Sequence, residues 1–166
     1  MKLKLFALGL LAAMAMNTRA DFNDGVVALT MGNYEKALSL FVPLAETTNH
    51  AYAQYFIGRM YADGQGVEKN LETAAKWYRK ASVQGVADAQ LRLAGQYEIG
   101  DGVPRDIETA YAWYSVAATL GNAKAKAAME ESSKRLSPEE LEEARTFSTE
   151  LIEKYAKTPM ETSRSQ

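Results

Sequence analysis

Cysteine is absent from the 166 residues, and histidine occurs once, at His50. These absences exclude a disulfide scaffold, a thiolate zinc site, a cysteine nucleophile and a metal centre built from several histidines. An excess of one charge is also missing. Lysine plus arginine number 19 and aspartate plus glutamate 21, a formal charge of −2, so nothing basic points to nucleic acid. The chain has no Gly-x-Ser-x-Gly nucleophile elbow and no Gly-Lys-Ser/Thr phosphate loop. What is present is a globular balance, 47% hydrophobic and 24% charged, which suffices for one domain with a core. That balance excludes a collagen-like chain and a wholly disordered one.

Met1-Lys2-Leu3-Lys4 is short and basic. Leu5 to Met16 follows as 12 apolar or small residues, and Asn17-Thr18-Arg19-Ala20 precedes the acidic Asp21. This layout predicts a secretory signal peptide over 1–20. The run is too short for a spanning helix, which needs roughly 20 apolar residues. Removal of Lys2, Lys4 and Arg19 with that segment leaves 16 basic against 21 acidic groups, a charge of −5. The expected product is soluble and exported to a periplasm, with secretion into the medium as the alternative. Lack of cysteine suits an oxidising compartment.

An internal repeat organises the rest. Residues 51–86 laid over 87–122 agree at 14 of 36 positions without a gap, where random pairing gives about two or three. Gly64-Gln65-Gly66-Val67 recurs as Gly100-Asp101-Gly102-Val103. Trp77-Tyr78, Ala81 and Gly85 recur as Trp113-Tyr114, Ala117 and Gly121. Each unit reads as two helices. Ala53, Ile57, Met60 and Tyr61, then Ala89, Leu93 and Tyr97, fall at helical spacing in the first. Gly-x-Gly ends that helix, because glycine accepts the left-handed backbone of a C-terminal cap. Asn70 and Asp106 are N-caps of the second helix, with Glu72 and Glu108 in its first turn. Ala74, Trp77, Tyr78 and Ala81 form its apolar stripe. One helix pair cannot bury such faces alone, so the units must stack.

The run Ala53-Gln54-x-x-Ile57-Gly58-x-x-Tyr61-x-x-Gly64-x-Gly66-Val67, continued by Ala74-x-x-Trp77-Tyr78-x-x-Ala81-x-x-x-Gly85, resembles the Sel1-like repeat. The second copy departs at Leu93-Ala94-Gly95, where the glycine comes one position late; a slight change in helix spacing is expected. Upstream, Gly25, Ala28, Gly32, Tyr34, Ala37, Phe41 and Leu44 are spaced like a tetratricopeptide helix pair over 21–50, with Pro43 inside the second helix. Pro43 should bend that helix or lower its stability. Residues 123–156 read as a partial repeat and a capping helix. Ser137, Pro138 and Glu140 make the helix start, and Leu141, Ala144, Phe147, Leu151 and Tyr155 its stripe. Residues 157–166 read as a disordered tail. The expected fold is all-α, a short right-handed solenoid of antiparallel helix pairs with a C-terminal capping helix.

The residues offer little chemistry. His50 aligns with Val86 and Asn122 in inter-repeat turns, and the recurrence of the Trp-Tyr pairs at the repeat period marks them as core. Glu130, Glu131, Glu139, Glu140, Glu142 and Glu143 read as a solvated acidic surface. No cofactor or metal site is expected. In tetratricopeptide-like solenoids the outward positions of the first helices line a concave face. The resemblance therefore nominates Tyr52, Tyr55, Arg59, Asp63, Asp88 and Leu91 as partner-binding residues, with Asn23, Val26, Thr30 and Glu98 beside them. Exposed tyrosine and arginine are common binding anchors. The family's adaptor roles imply a non-enzymatic module that holds a peptide or protein. Two alternatives are a cell-envelope enzyme or ligand binder related to β-lactams or peptidoglycan, and a secreted effector. The Sel1-like proteins linked to β-lactams are cysteine-rich, unlike this chain.

Overall fold

Helix starts and stops along this chain follow local chemistry closely. In the computed structural model, residues 21–156 are described; the expected signal peptide and disordered tail lie outside them. The described part of the first helix, α1, covers 21–30. It is followed by α2 (Tyr34–Thr47), α3 (Ala51–Asp63), α4 (Leu71–Ser82), α5 (Ala87–Ile99), α6 (Ile107–Thr119), α7 (Ala123–Ser133) and α8 (Pro138–Tyr155). No strand occurs among the described residues.

Side-chain caps set the N-termini of every helix from α2 to α8 except α5, which starts after Val86 without one. Asn33, Asn70, Asp106 and Asn122 each accept the backbone N–H three residues on, as does Ser137. Ser137 and Glu140 complete a reciprocal capping box, with Pro138 at the first helical position. Gly64 and Gly100 close α3 and α5 with left-handed φ of 69° and 88°. The second glycine of each motif serves a different end. A Cβ on Gly102 would run into the backbone of Leu71 and lie 2.6 Å from Glu72 N, so the loop after α5 sits directly on the start of α4. Gly66 meets the start of α2 in the same way, its missing Cβ 2.6 Å from Tyr34 Cβ.

Successive helices pack on one another from α2 to α7, and α8 returns onto α6. The result is a short right-handed solenoid of antiparallel pairs with α8 as the cap. Two hydrophobic clusters fill it. One joins Ala28, Ala37, Phe41, Leu44, Ile57 and Met60, and the other runs from Tyr55 through Tyr78, Leu93, Trp113 and Tyr114 to Leu151. Phe56 and Tyr61 touch both. Small residues allow this closeness, since a Cβ on Gly58 would lie 2.7 Å from the Tyr78 ring. Trp113 stacks on Tyr155 of the cap at 5.8 Å, which covers α6. Trp77 is only half-buried; its ring packs on the first cluster and carries Lys80 Nζ at 4.2 Å. The helix α2 runs through Pro43, which is exposed on its outer side.

The turns between units repeat as well. Gly85 and Gly121 hold positive φ, and Asn49 takes the same position with φ 52°. Asn49 Oδ1 accepts from Gln54 Nε2 at 2.7 Å, and Gln84 Nε2 donates to Gln54 Oε1 at 2.7 Å. This amide network ties α3 to the turn before it and to the end of α4. His50 is the N-cap of α3, its Nδ1 accepting from Ala53 N at 3.2 Å. Its ring stacks on Phe22 at 4.5 Å, and burial holds its pKa below the usual histidine value.

Candidate functional site

The first helices of the pairs present one face, and the expected binding residues divide sharply on it. Tyr52 is 44% exposed, and Asp63 and Asp88 are exposed as expected. Asp88 already accepts a hydrogen bond from Asn122 Nδ2 at 3.0 Å. Tyr55 is not an outward residue, being only 9% exposed. Its ring lies 6.1 Å from Tyr78 and 5.4 Å from Phe56, because Gly58 admits the Tyr78 ring and Tyr55 closes the space beside it. Arg59 is half-buried over the rings of Tyr55 and Phe56, at 5.9 and 5.7 Å, and its Nε is buried without a partner. Leu91 and Val26 are half-buried against the core. Asn23 is exposed, and exposed Thr30 bonds back to the Val27 carbonyl.

Glu98 is committed within the fold. Tyr114 Oη donates to its Oε2 at 2.8 Å, and Arg135 donates to its Oε1 at 2.8 Å. The carboxylate thus joins α5, α6 and the end of α7 at the junction between the second unit and the partial repeat. Burial and this carboxylate push the Tyr114 hydroxyl pKa strongly up.

At the junction between the two full units the same face opens into a cleft of about 210 Å³. Ala62 from α3, Leu71 and Tyr78 from α4, Arg92, Gly95, Gln96 and Ile99 from α5, and Asp101 from the loop after α5 line it. Ile99 is 67% exposed, a large apolar side chain at its edge. Tyr78 is anchored in the core, and its hydroxyl makes no hydrogen bond among the described residues. Burial raises its pKa strongly; among charged groups Arg92 opposes this most, while Asp63 adds to it and Arg59 opposes it more weakly. Arg92 is exposed and forms no ion pair among the described residues. Gln96 spends its Nε2 on the Leu71 carbonyl at 2.9 Å, leaving Oε1 buried and unpartnered.

A larger concavity of about 450 Å³ lies between α4 and the loop after α5. Its polar groups are already engaged: Lys76 pairs with Glu72, Arg79 bonds Tyr97, and Lys80 covers Trp77. The acidic residues of α7 and α8 are likewise solvated or locally paired, Glu131 with Lys134 and Glu142 with Arg145. Among the described residues no group of three or more histidine, aspartate or glutamate side chains is placed to hold a metal ion. The cleft between the full units therefore combines exposed apolar surface with unspent hydrogen-bonding groups. Sequence comparison of the repeats overlooked Ala62, Arg92 and Ile99, because it weighed positions that agree. The signal lay in positions that differ, above all Ala62 against Glu98.

The Sel1 repeat family model matches residues 51–86 and 87–122. A protective antigen of uropathogenic Escherichia coli strains, with an SLR fold, is 32% identical with a TM-score of 0.81 over 87% of this chain. A Sel1 repeat protein from Oxalobacter formigenes is 35% identical with a TM-score of 0.63 over 68% of it. The chain spans 32% and 46% of those two chains, less than half of either. No curated protein matches the sequence significantly. The matched units and the stacked helix pairs agree: the chain carries two Sel1 repeats, and its structural neighbours are Sel1-repeat proteins, which are tetratricopeptide-like.

Proposed function

We propose that the chain is an exported adaptor that works without catalysis and holds a protein partner on the face formed by its first helices. The observation that carries this reading is the cleft between the two Sel1 units, where exposed Ile99 and Arg92 stand beside a tyrosine hydroxyl without a partner. Apolar surface next to unspent donors is what a partner's side chain needs for affinity and orientation. Exposed Tyr52 extends the same face toward the N-terminal pair. Sel1 repeats are protein-interaction modules in general, which supports this reading. The proposal of export, to the periplasm with the medium as alternative, rests on the basic start, the apolar run Leu5 to Met16 and the Ala20 step. No helix among the described residues is long and apolar enough to cross a membrane.

The test is crosslinking in the native host, recovery of the tagged chain and identification of what comes with it. A Tyr52→Ala/Arg92→Gln double variant keeps the core and removes two exposed groups of the face. Loss of one recurrent envelope protein in that variant, with thermal unfolding unchanged, supports the adaptor. Undiminished recovery removes this face as the site. The pair Tyr55 and Arg59 would make a poor test, since Tyr55 belongs to the core.

A further inference from the structure

The two unit junctions are built on one register, and their differences are informative. A shift of 36 residues takes Tyr78 to Tyr114, Ala62 to Glu98 and Ile99 to Arg135. At the second junction the Glu98 carboxylate accepts from both the Tyr114 hydroxyl and the Arg135 guanidinium, each at 2.8 Å. At the first junction the tyrosine is retained but the glutamate is reduced to the methyl of Ala62, and a cleft remains. The cation is not lost; it moves. Arg92 borders the first cleft from a position that reads Ala128 in the next unit. The first junction thus has a hydroxyl and a guanidinium bordering the same space, with no carboxylate at the position that Glu98 holds one unit later; the acidic residue that lines the cleft, Asp101, comes from the loop after α5.

We infer that this cleft receives an acidic side chain of the protein partner, which takes the place that Glu98 fills at the second junction. The partner's carboxylate accepts from Tyr78 Oη and from Arg92, while the stem of that side chain lies against Ala62 and Ile99. Charge-assisted bonds of this kind gain strength from partial enclosure. Asp63 and Asp101 also border the region and balance Arg59 and Arg92, so long-range attraction is small. Recognition therefore depends on short-range donation by the two named groups. This inference rests on the adaptor reading and adds the chemistry of what is held.

The experiment fills the cleft from within. In the full chain, Ala62→Glu supplies the missing carboxylate in cis. The expected result is a higher unfolding midpoint for A62E, with the gain lost in A62E/R92Q and in A62E/Y78F. The double-mutant coupling should be at least about tenfold in the unfolding constant. A62Q, similar in size but uncharged, should show no such coupling to Arg92. Partner capture is then read with a photo-reactive phenylalanine analogue at position 52. A62E and R92Q should each lower capture about tenfold or more. Absence of coupling overturns the carboxylate site, and so does capture that is unchanged in both variants; steady capture at position 52 leaves the adaptor reading standing. Failure of capture from position 52 in the parent chain overturns both. Should A62E unfold, R92Q carries the capture test, because Arg92 is exposed and unpaired in the fold.

Discussion

Replacement of Gly102 by alanine should be far more damaging than replacement of Gly121, although both glycines have left-handed backbone. Their φ values are 74° and 88°, so each alanine variant carries a conformational penalty of about 1–2 kcal/mol. At Gly121 that is the whole effect, since nothing lies within 4 Å of its missing Cβ. At Gly102 the added carbon meets the Leu71 carbonyl group and lies 2.6 Å from Glu72 N, all backbone atoms that cannot rotate away. The loop must retreat from the start of α4, which disturbs the Gln96 bond to the Leu71 carbonyl. Overpacking of this kind adds about 1–3 kcal/mol. The expected losses are therefore about 1–2 kcal/mol for G121A and about 2–5 kcal/mol for G102A. Urea unfolding followed by far-ultraviolet circular dichroism measures both, with the m-value checked for constancy. Equal losses in the two variants would refute the view that the second glycine of the motif exists to let one unit touch the last.

The remaining expectations concern single elements. His50 is held neutral by burial and must keep Nδ1 free to cap α3, so its folded pKa lies below its unfolded one. The unfolded chain then binds the extra proton first, and the His50 contribution is present above about pH 6.5 and lost as pH falls through the folded pKa. Comparing H50N with the parent between pH 7.5 and 5 checks this: the parent should lose stability faster, and parallel curves would contradict it. Ser137→Ala removes one arm of the capping box and should cost about 1 kcal/mol, read from the urea midpoint. Leu93→Ala opens a cavity in a fully buried site between the units and should cost about 2–5 kcal/mol in the same assay. Glu98→Gln weakens the charged acceptor shared by Tyr114 and Arg135 and should lower the urea midpoint; an unchanged midpoint would contradict a bracing role for that carboxylate.

The helices were legible because the chain marks their ends by residue type. Asn70 and Asp106 cap where polar side chains can reach back to the third N–H, and Gly64 and Gly100 stop helices where a left-handed residue is needed. Stacking was legible from the period, since Ala53 and Ala89, or Tyr78 and Tyr114, are buried at matching places. The binding face was read less well. Helical spacing puts Tyr55 and Arg59 together on one side of α3, but it carries no information on how far a neighbouring helix leans in. Gly58 lets Tyr78 reach through from α4, and Tyr55 is drawn into the core beside it. The cleft itself depends on a residue that is missing, the carboxylate that Glu98 supplies one unit later. Such a vacancy becomes visible only when the second junction shows what the side chains do there.

The proposed adaptor holds its partner on the first-helix face. A photo-reactive residue placed in turn at Tyr52 and Ile99, and on the opposite side at Lys76, tests it in the native host with the full chain. One protein should be captured from positions 52 and 99 and not from 76. Capture of the same protein from 76 alone, or equally from all three, would contradict it.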